Sequence, residues 1–137
     1  MYVLVMRDGS RQEIAPADLL EAMREVVRTG AAQLEVGGGA VRMMTFEQAL
    51  SELELNRPGL FAAFSSEWQP PSPAEFRELL KVADLTGSQA GLLVGVPGGR
   101  IRKWAGGDGA IPYAVWRLLT IYVGLAAALR INNEITK

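Results

Sequence analysis

The chain has 137 residues, of which 49% are hydrophobic, and it contains neither cysteine nor histidine. This length suits one domain of ordinary size or two small ones, and the apolar share is high enough for a packed core. The lack of cysteine excludes disulfides and thiolate chemistry, and the lack of histidine removes the usual general base and the commonest metal ligand. We therefore expect no enzyme, no cofactor and no metal site.

Hydropathy along the chain argues against a membrane partner. The apolar stretch 118–129 is shorter than the roughly 20 residues that a bilayer crossing needs. Residues 1–6 form a short apolar run with no basic segment before it, so no secretory signal is expected. The expected location is the cytoplasm.

Charge is unevenly divided between the two halves, although the net charge is only −1. Residues 1–69 hold six arginines against ten acidic residues, whereas residues 70–137 hold eight basic residues against five acidic ones. A basic half beside an acidic half indicates a polyanionic partner for the second half only, although chance variation in surface charge explains the counts equally well.

The first half, residues 1–64, predicts a small α+β domain in the order ββαββα. Strands are expected at 2–6, 11–14, 33–36 and 40–44, with tight turns at Asp8-Gly9 and at Gly37-Gly38-Gly39. Pro16 suits the first position of the first helix, and Thr45 with Gln48 forms a capping box for a second helix that runs to about Leu55. We expect this domain to dimerise or to bind a protein partner.

A proline-rich linker is predicted at residues 65–72, because Pro70-Pro71 forces extended backbone. Residues 73–131 then predict an all-helical domain of four to five helices, followed by a tail at 132–137. Capping boxes start its first two helices, Ser72 with Glu75 and Thr86 with Gln89.

Helical spacing assigns the inward faces of this second domain. The expected inward residues are Phe76, Leu79, Leu80 and Ala83, then Ala90, Leu93 and Val94, then Ile101 and Trp104, and finally Val115, Leu118, Leu119 and Tyr122. Gly124 interrupts or ends the last of these helices, and residues 125–131 are expected to continue as a helix.

The stretch 85–107 has the layout of a helix-turn-helix, in which a second helix follows a tight turn and carries several cations. Small residues at Ala90 and Gly91 allow two helices to cross closely, Gly95 permits the turn, and Val96 fills the space between them. The sequence here resembles the Cro/repressor-like, or Xre-like, helix-turn-helix family. The matching residues are Leu85, Thr86, Leu93, Gly95, Val96, Ile101 and Trp104.

The resemblance covers about residues 72–125, and the segment 111–116 is similar to a variant found in phage and plasmid regulators. Gly87 stands where the family has a phosphate-binding Gln, and Pro97 replaces the usual capping Ser. Gly98 and Gly99 stand where the family offers side chains to the bases. The candidate DNA-binding residues are Gln89, Gly98, Gly99, Arg100, Arg102 and Lys103.

The function that follows is a DNA-binding transcriptional regulator, a repressor of phage, plasmid or other mobile-element type. We expect the segment 98–105 to be the recognition helix and double-stranded DNA to be the partner. We expect a homodimer to be the form that binds, because one copy offers few base-reading side chains. The alternative is a helix-turn-helix that serves as a protein-interaction module, as in an antitoxin or a phage inhibitor of a host factor.

Overall fold

The computed structural model describes residues 1–129, and its fold is α+β. The strands are β1 (Tyr2–Val5), β2 (Arg11–Ile14), β3 (Gln33–Val36) and β4 (Arg42–Thr45). The helices are α1 (Leu19–Thr29), α2 (Phe46–Glu52), α3 (Pro73–Ala83), α4 (Gly87–Val94), α5 (Gly98–Ala105) and α6 (Tyr113–Val123). The predicted ββαββα unit followed by an all-helical half is confirmed.

The four strands form one antiparallel sheet in the order β2-β1-β3-β4. Leu4 lies opposite Leu34, and Leu34 lies opposite Met44, so one apolar row crosses three strands. Helices α1 and α2 pack on the sheet, and Leu4 and Leu34 are almost completely buried. Alternate residues such as Glu13 and Glu35 belong to the opposite face because side chains alternate along a strand.

Side-chain caps fix the start of four helices. Capping boxes are present at Thr45, Ser72 and Thr86, as the sequence predicts. The prediction that Pro16 opens the first helix is wrong, because Asp18 is the N-cap and its carboxylate accepts from the Glu21 N–H at 2.9 Å. This bond satisfies a backbone N–H that has no acceptor within the helix, and the helix therefore starts at Leu19.

The second helix ends at Glu52, before the expected Leu55. Glu54 follows with φ of 59°, a left-handed conformation that cannot extend a helix. The backbone turns there, and the side chain of Leu55 is completely buried.

Residues 53–72 form a connection that lacks helix and strand and packs on α6. The Trp116 indole donates to the Leu60 carbonyl at 2.8 Å, and the rings of Phe61 and Trp116 stack with centroids 6.0 Å apart. Buried side chains from both halves form one continuous core. The division into domains at 1–64 and 73–131, with a linker at 65–72, stays a prediction.

Two of the expected inward side chains point to solvent. Leu93 is 44% exposed and Tyr122 is 55% exposed. In α4 the buried stripe runs through Ala90, Gly91 and Val94, which places Leu93 about 100° away around the helix. The same geometry applies to α6, whose buried residues include Trp116 and Leu119.

The expected helix at 125–131 is wrong over residues 125–129, which are not helical. Gly124 has φ of 90°, and the N–H groups of Leu125 and Ala126 both return to the Thr120 carbonyl, which closes α6. Residues 130–131 of this prediction, and the predicted tail at 132–137, lie outside the described residues.

Candidate nucleic-acid interface

Helices α4 and α5 pack against each other across the short turn 95–97. Gly95 adopts φ of 76° as the C-cap of α4, and its N–H donates to the Gly91 carbonyl at 2.8 Å. The Val96 N–H donates to the same carbonyl at 3.0 Å. Left-handed backbone favours glycine, so Gly95 makes this reversal of direction without strain.

Glycine also sets how closely the two helices approach. A Cβ on Gly91 would collide with the backbone oxygen of Val96 and lie 3.1 Å from the backbone nitrogen of Gly98. A Cβ on Gly98 would lie 3.0 Å from the Cα of Ser88. The N-terminal turn of α5 therefore lies directly against α4, with backbone contacting backbone.

Helix α5 has a buried side and a basic side. Ile101 and Trp104 are buried in the core, whereas Arg100, Arg102 and Lys103 are exposed. Within residues 1–129, none of these three cations has a carboxylate within ion-pair distance. The exposed side of α5 thus keeps its positive charge available to an anion.

The start of α5 leaves backbone donors free. Pro97 is the N-cap and provides no side-chain hydrogen bond, and the Arg100 N–H donates to the Pro97 carbonyl at 2.9 Å. Among the described residues, the N–H groups of Gly98 and Gly99 have no acceptor. Such amides carry the positive end of the helix dipole and suit a phosphate oxygen.

Gln89 lies at the start of α4 and is engaged in its cap. Its Oε1 accepts from the Thr86 N–H at 2.9 Å, and its own N–H donates to the Thr86 hydroxyl at 3.1 Å. Its side-chain nitrogen Nε2 has no hydrogen-bond acceptor among residues 1–129.

A groove of about 500 Å³ runs beside the basic side of α5. Arg100, Lys103 and Trp104 line one part of it, and Asp108 and Gly109 line another. Asp108 brings one carboxylate into the groove, which the sequence analysis did not anticipate because the residue follows the helix in a turn.

Within residues 1–129, no three His, Cys, Asp or Glu side chains come together as metal ligands. Every helix there falls short of the length and hydrophobicity needed to cross a bilayer.

The chain is similar in sequence to two proteins from Escherichia coli, each named transcriptional repressor protein KorC. One is 47% identical over an alignment of 64 residues, and the match covers 44% of this chain and 75% of the relative. The other is 42% identical over an alignment of 66 residues, and the match covers 46% of this chain and 78% of the relative. No family model and no solved structure matches the chain. Because the alignments cover at least three quarters of each relative at this level of identity, the chain belongs to the family of the transcriptional repressor protein KorC.

Proposed function

We propose that this protein is a DNA-binding transcriptional repressor, without enzymatic activity, and that it acts in the cytoplasm. The observation that carries the proposal is the basic side of α5, where three exposed cations without an ion-pair partner among residues 1–129 lie beside the amides of Gly98 and Gly99, which have no acceptor there. The sequence similarity of this chain to the KorC repressors supports the same function.

In this proposal, α5 of a helix-turn-helix lies in the major groove. Arg100 and Lys103 face the bases, where an arginine that reads guanine adds about 1–3 kcal/mol of discrimination. The amides of Gly98 and Gly99, the Arg102 guanidinium and the Gln89 Nε2 contact the phosphate backbone. Phosphate contacts fix the register of the protein on the duplex and make binding strongly dependent on salt.

The proposed binding form is a homodimer on a two-part site. Each copy offers only Arg100 and Lys103 as base-reading side chains, because glycine occupies positions 98 and 99. Two copies on a symmetric operator double the number of contacts. The N-terminal ββαββα unit is the proposed dimerisation or partner-binding part.

The test is a gel-shift titration with DNA from upstream of the protein's own gene. Arg100→Ala combined with Lys103→Ala is expected to abolish operator binding and leave thermal unfolding unchanged. A matched control, Arg42→Ala combined with Lys81→Ala, removes the same charge from exposed positions outside α5 and is expected to bind normally. Unchanged affinity of the α5 double variant would refute the proposal.

A protein-interaction module is the second candidate, and the exposed apolar residues of α4 favour it. Leu92 is 86% exposed and its neighbour Leu93 is 44% exposed. Contiguous apolar surface can mark a protein contact, and these two residues are adjacent in the chain. Failure of the purified protein to shift its upstream DNA at low salt, together with co-purification of one defined host protein, would support this candidate over the first.

A further inference from the structure

The side chain of Arg102 on α5 lies across the beginning of α4. Its Nη1 donates to the Ser88 hydroxyl at 3.4 Å. A Cβ on Gly87 would lie 2.9 Å from Arg102 Cγ and 3.5 Å from Nη1, and a Cβ on Gly98 would lie 3.2 Å from the same Nη1. Arg102 thus occupies a slot between two helices that exists because both of these positions lack a side chain.

Backbone conformation does not explain the glycine at position 87. Gly87 is the first residue of α4 and lies outside the left-handed region of φ, so alanine could adopt its conformation. Alanine is also the better helix former, by about 1 kcal/mol per residue in a helix interior. The close approach of the Arg102 side chain is the contact in the structure that only glycine permits.

No carboxylate draws Arg102 into this position, since it has no ion-pair partner among residues 1–129. The neutral Ser88 hydroxyl is its hydrogen-bond acceptor. The guanidinium has five N–H donors, so one bond to Ser88 leaves the rest of its planar fork available to an anionic oxygen.

We propose that Gly87, Ser88 and Gly98 are positioning residues that hold the Arg102 guanidinium in place to bind a DNA phosphate. This inference rests on the proposed function and assigns the phosphate contact to a residue that the two helices orient jointly. Gly87 and Gly98 provide the space, and Ser88 fixes the direction of Nη1.

The test is a double-mutant cycle on operator affinity in the full chain. Gly87→Ala is expected to lower the affinity about fivefold, because the new methyl group displaces Arg102 and loses one charge-assisted contact. The slope of log affinity against log salt is expected to become shallower by about 0.9, the value for one phosphate contact. Thermal unfolding is expected at the same or a higher temperature, since alanine favours the helix.

Arg102→Ala provides the second edge of the cycle. It is expected to lower the affinity at least as much, and adding Gly87→Ala to it is expected to cause no further loss. Ser88→Ala leaves the helix contacts intact and is measured both in the wild-type chain and together with Arg102→Ala. It is expected to lower the operator affinity less than Gly87→Ala does, and to cause no further loss when Arg102 is already replaced. Arg42→Ala is the charge-matched control and is expected to keep the wild-type affinity.

The outcomes separate this inference from the proposed function. Failure of the wild-type protein to bind its operator overturns the proposed function itself. Operator binding that is insensitive to both Gly87→Ala and Ser88→Ala overturns only the positioning role. An equal loss from these substitutions in the presence and absence of Arg102 overturns it as well, because the effect would then not pass through the guanidinium.

Discussion

Arg24 of α1 and Glu78 of α3 form a two-pronged ion pair between the N-terminal unit and the helical half. The Glu78 carboxylate accepts from Arg24 Nε at 2.7 Å and from Nη2 at 3.1 Å. Both side chains are mostly buried, with 13% and 17% of their surface exposed. The Glu78 hydrogen bonds raise the pKa of Arg24 and so favour its charged form.

Breaking this pair is expected to destabilise the whole protein. Arg24→Ala should lower the free energy of unfolding by about 2 kcal/mol, because Glu78 is left largely buried without its partner. Arg11→Ala is the matched control, since the Arg11–Glu35 pair lies on the sheet surface with Arg11 54% exposed, and it should cost less than about 1 kcal/mol. Urea unfolding measures both values. Equal losses would show that Arg24 contributes no more than a surface pair.

The Gly91 position is expected to tolerate no side chain. Gly91→Ala forces a methyl group against the backbone of Val96, and backbone cannot move aside as a flexible side chain does. The expected cost is about 2 kcal/mol in the free energy of unfolding, within the range for overpacked cores. In Gly99→Ala the new methyl group meets nothing closer than 3.9 Å, so this variant should unfold at the same or a higher temperature. Similar unfolding temperatures for the two variants would contradict the close packing of α4 on α5.

Local chemistry explains which parts of the fold the sequence could predict. A capping box joins residues three apart, so Thr45, Ser72 and Thr86 could be recognised from their neighbours alone. Gly95 and Gly124 adopt left-handed backbone at helix ends, which is a local signal too. Helix α5 spans Gly98–Ala105, as predicted, between Pro97 and Gly106, two residue types that disfavour the interior of a helix.

Tertiary contacts decided the features that the sequence did not reveal. Helical spacing with Ala90 and Val94 predicted that Leu93 faces inward, but the close approach of α5 places Gly91 in the buried stripe and turns Leu93 outward. The slot for Arg102 needs Gly87 and Gly98 on two separate helices at once. No pattern within one helix could predict that combination.

Leu92 is expected to contribute to association and not to folding. Its side chain is 86% exposed, so Leu92→Ser should change the free energy of unfolding by less than about 0.5 kcal/mol. If α4 binds a host protein, as the second candidate function requires, the same change should lower the amount of that protein that co-purifies. Because the N-terminal unit is the proposed dimerisation part, Leu92→Ser should leave the molecular mass in light scattering unchanged, whereas Val41→Ser, at a 60% exposed apolar position of that unit, tests the dimer contact. A lower mass for Leu92→Ser would place the dimer contact on α4.

Because of Glu75, the free energy of unfolding is expected to decrease as the pH falls through the acid range. Burial raises the pKa of its carboxyl, but hydrogen bonds from Arg57 and Ser72 and the charge of Arg57 outweigh that effect, so the pKa lies below its usual value of 4.5. A carboxyl with a lowered folded-state pKa stabilises the protein fully above its unfolded-state pKa, and the contribution is lost as the pH falls through the folded-state value. The charged form also holds the capping box of α3, where the Ser72 N–H donates to Glu75 Oε1 at 2.8 Å.

Glu75→Gln should therefore be less stable than the wild type at pH 7. The gap between their free energies of unfolding, measured with urea, should narrow below about pH 4.5. Glu67→Gln, at an exposed position outside this network, serves as the control and should be as stable as the wild type at pH 7. A gap for Glu75→Gln that stays constant between pH 7 and pH 3 would show that the neutral side chain loses packing alone, and that the charge on Glu75 does not stabilise the fold.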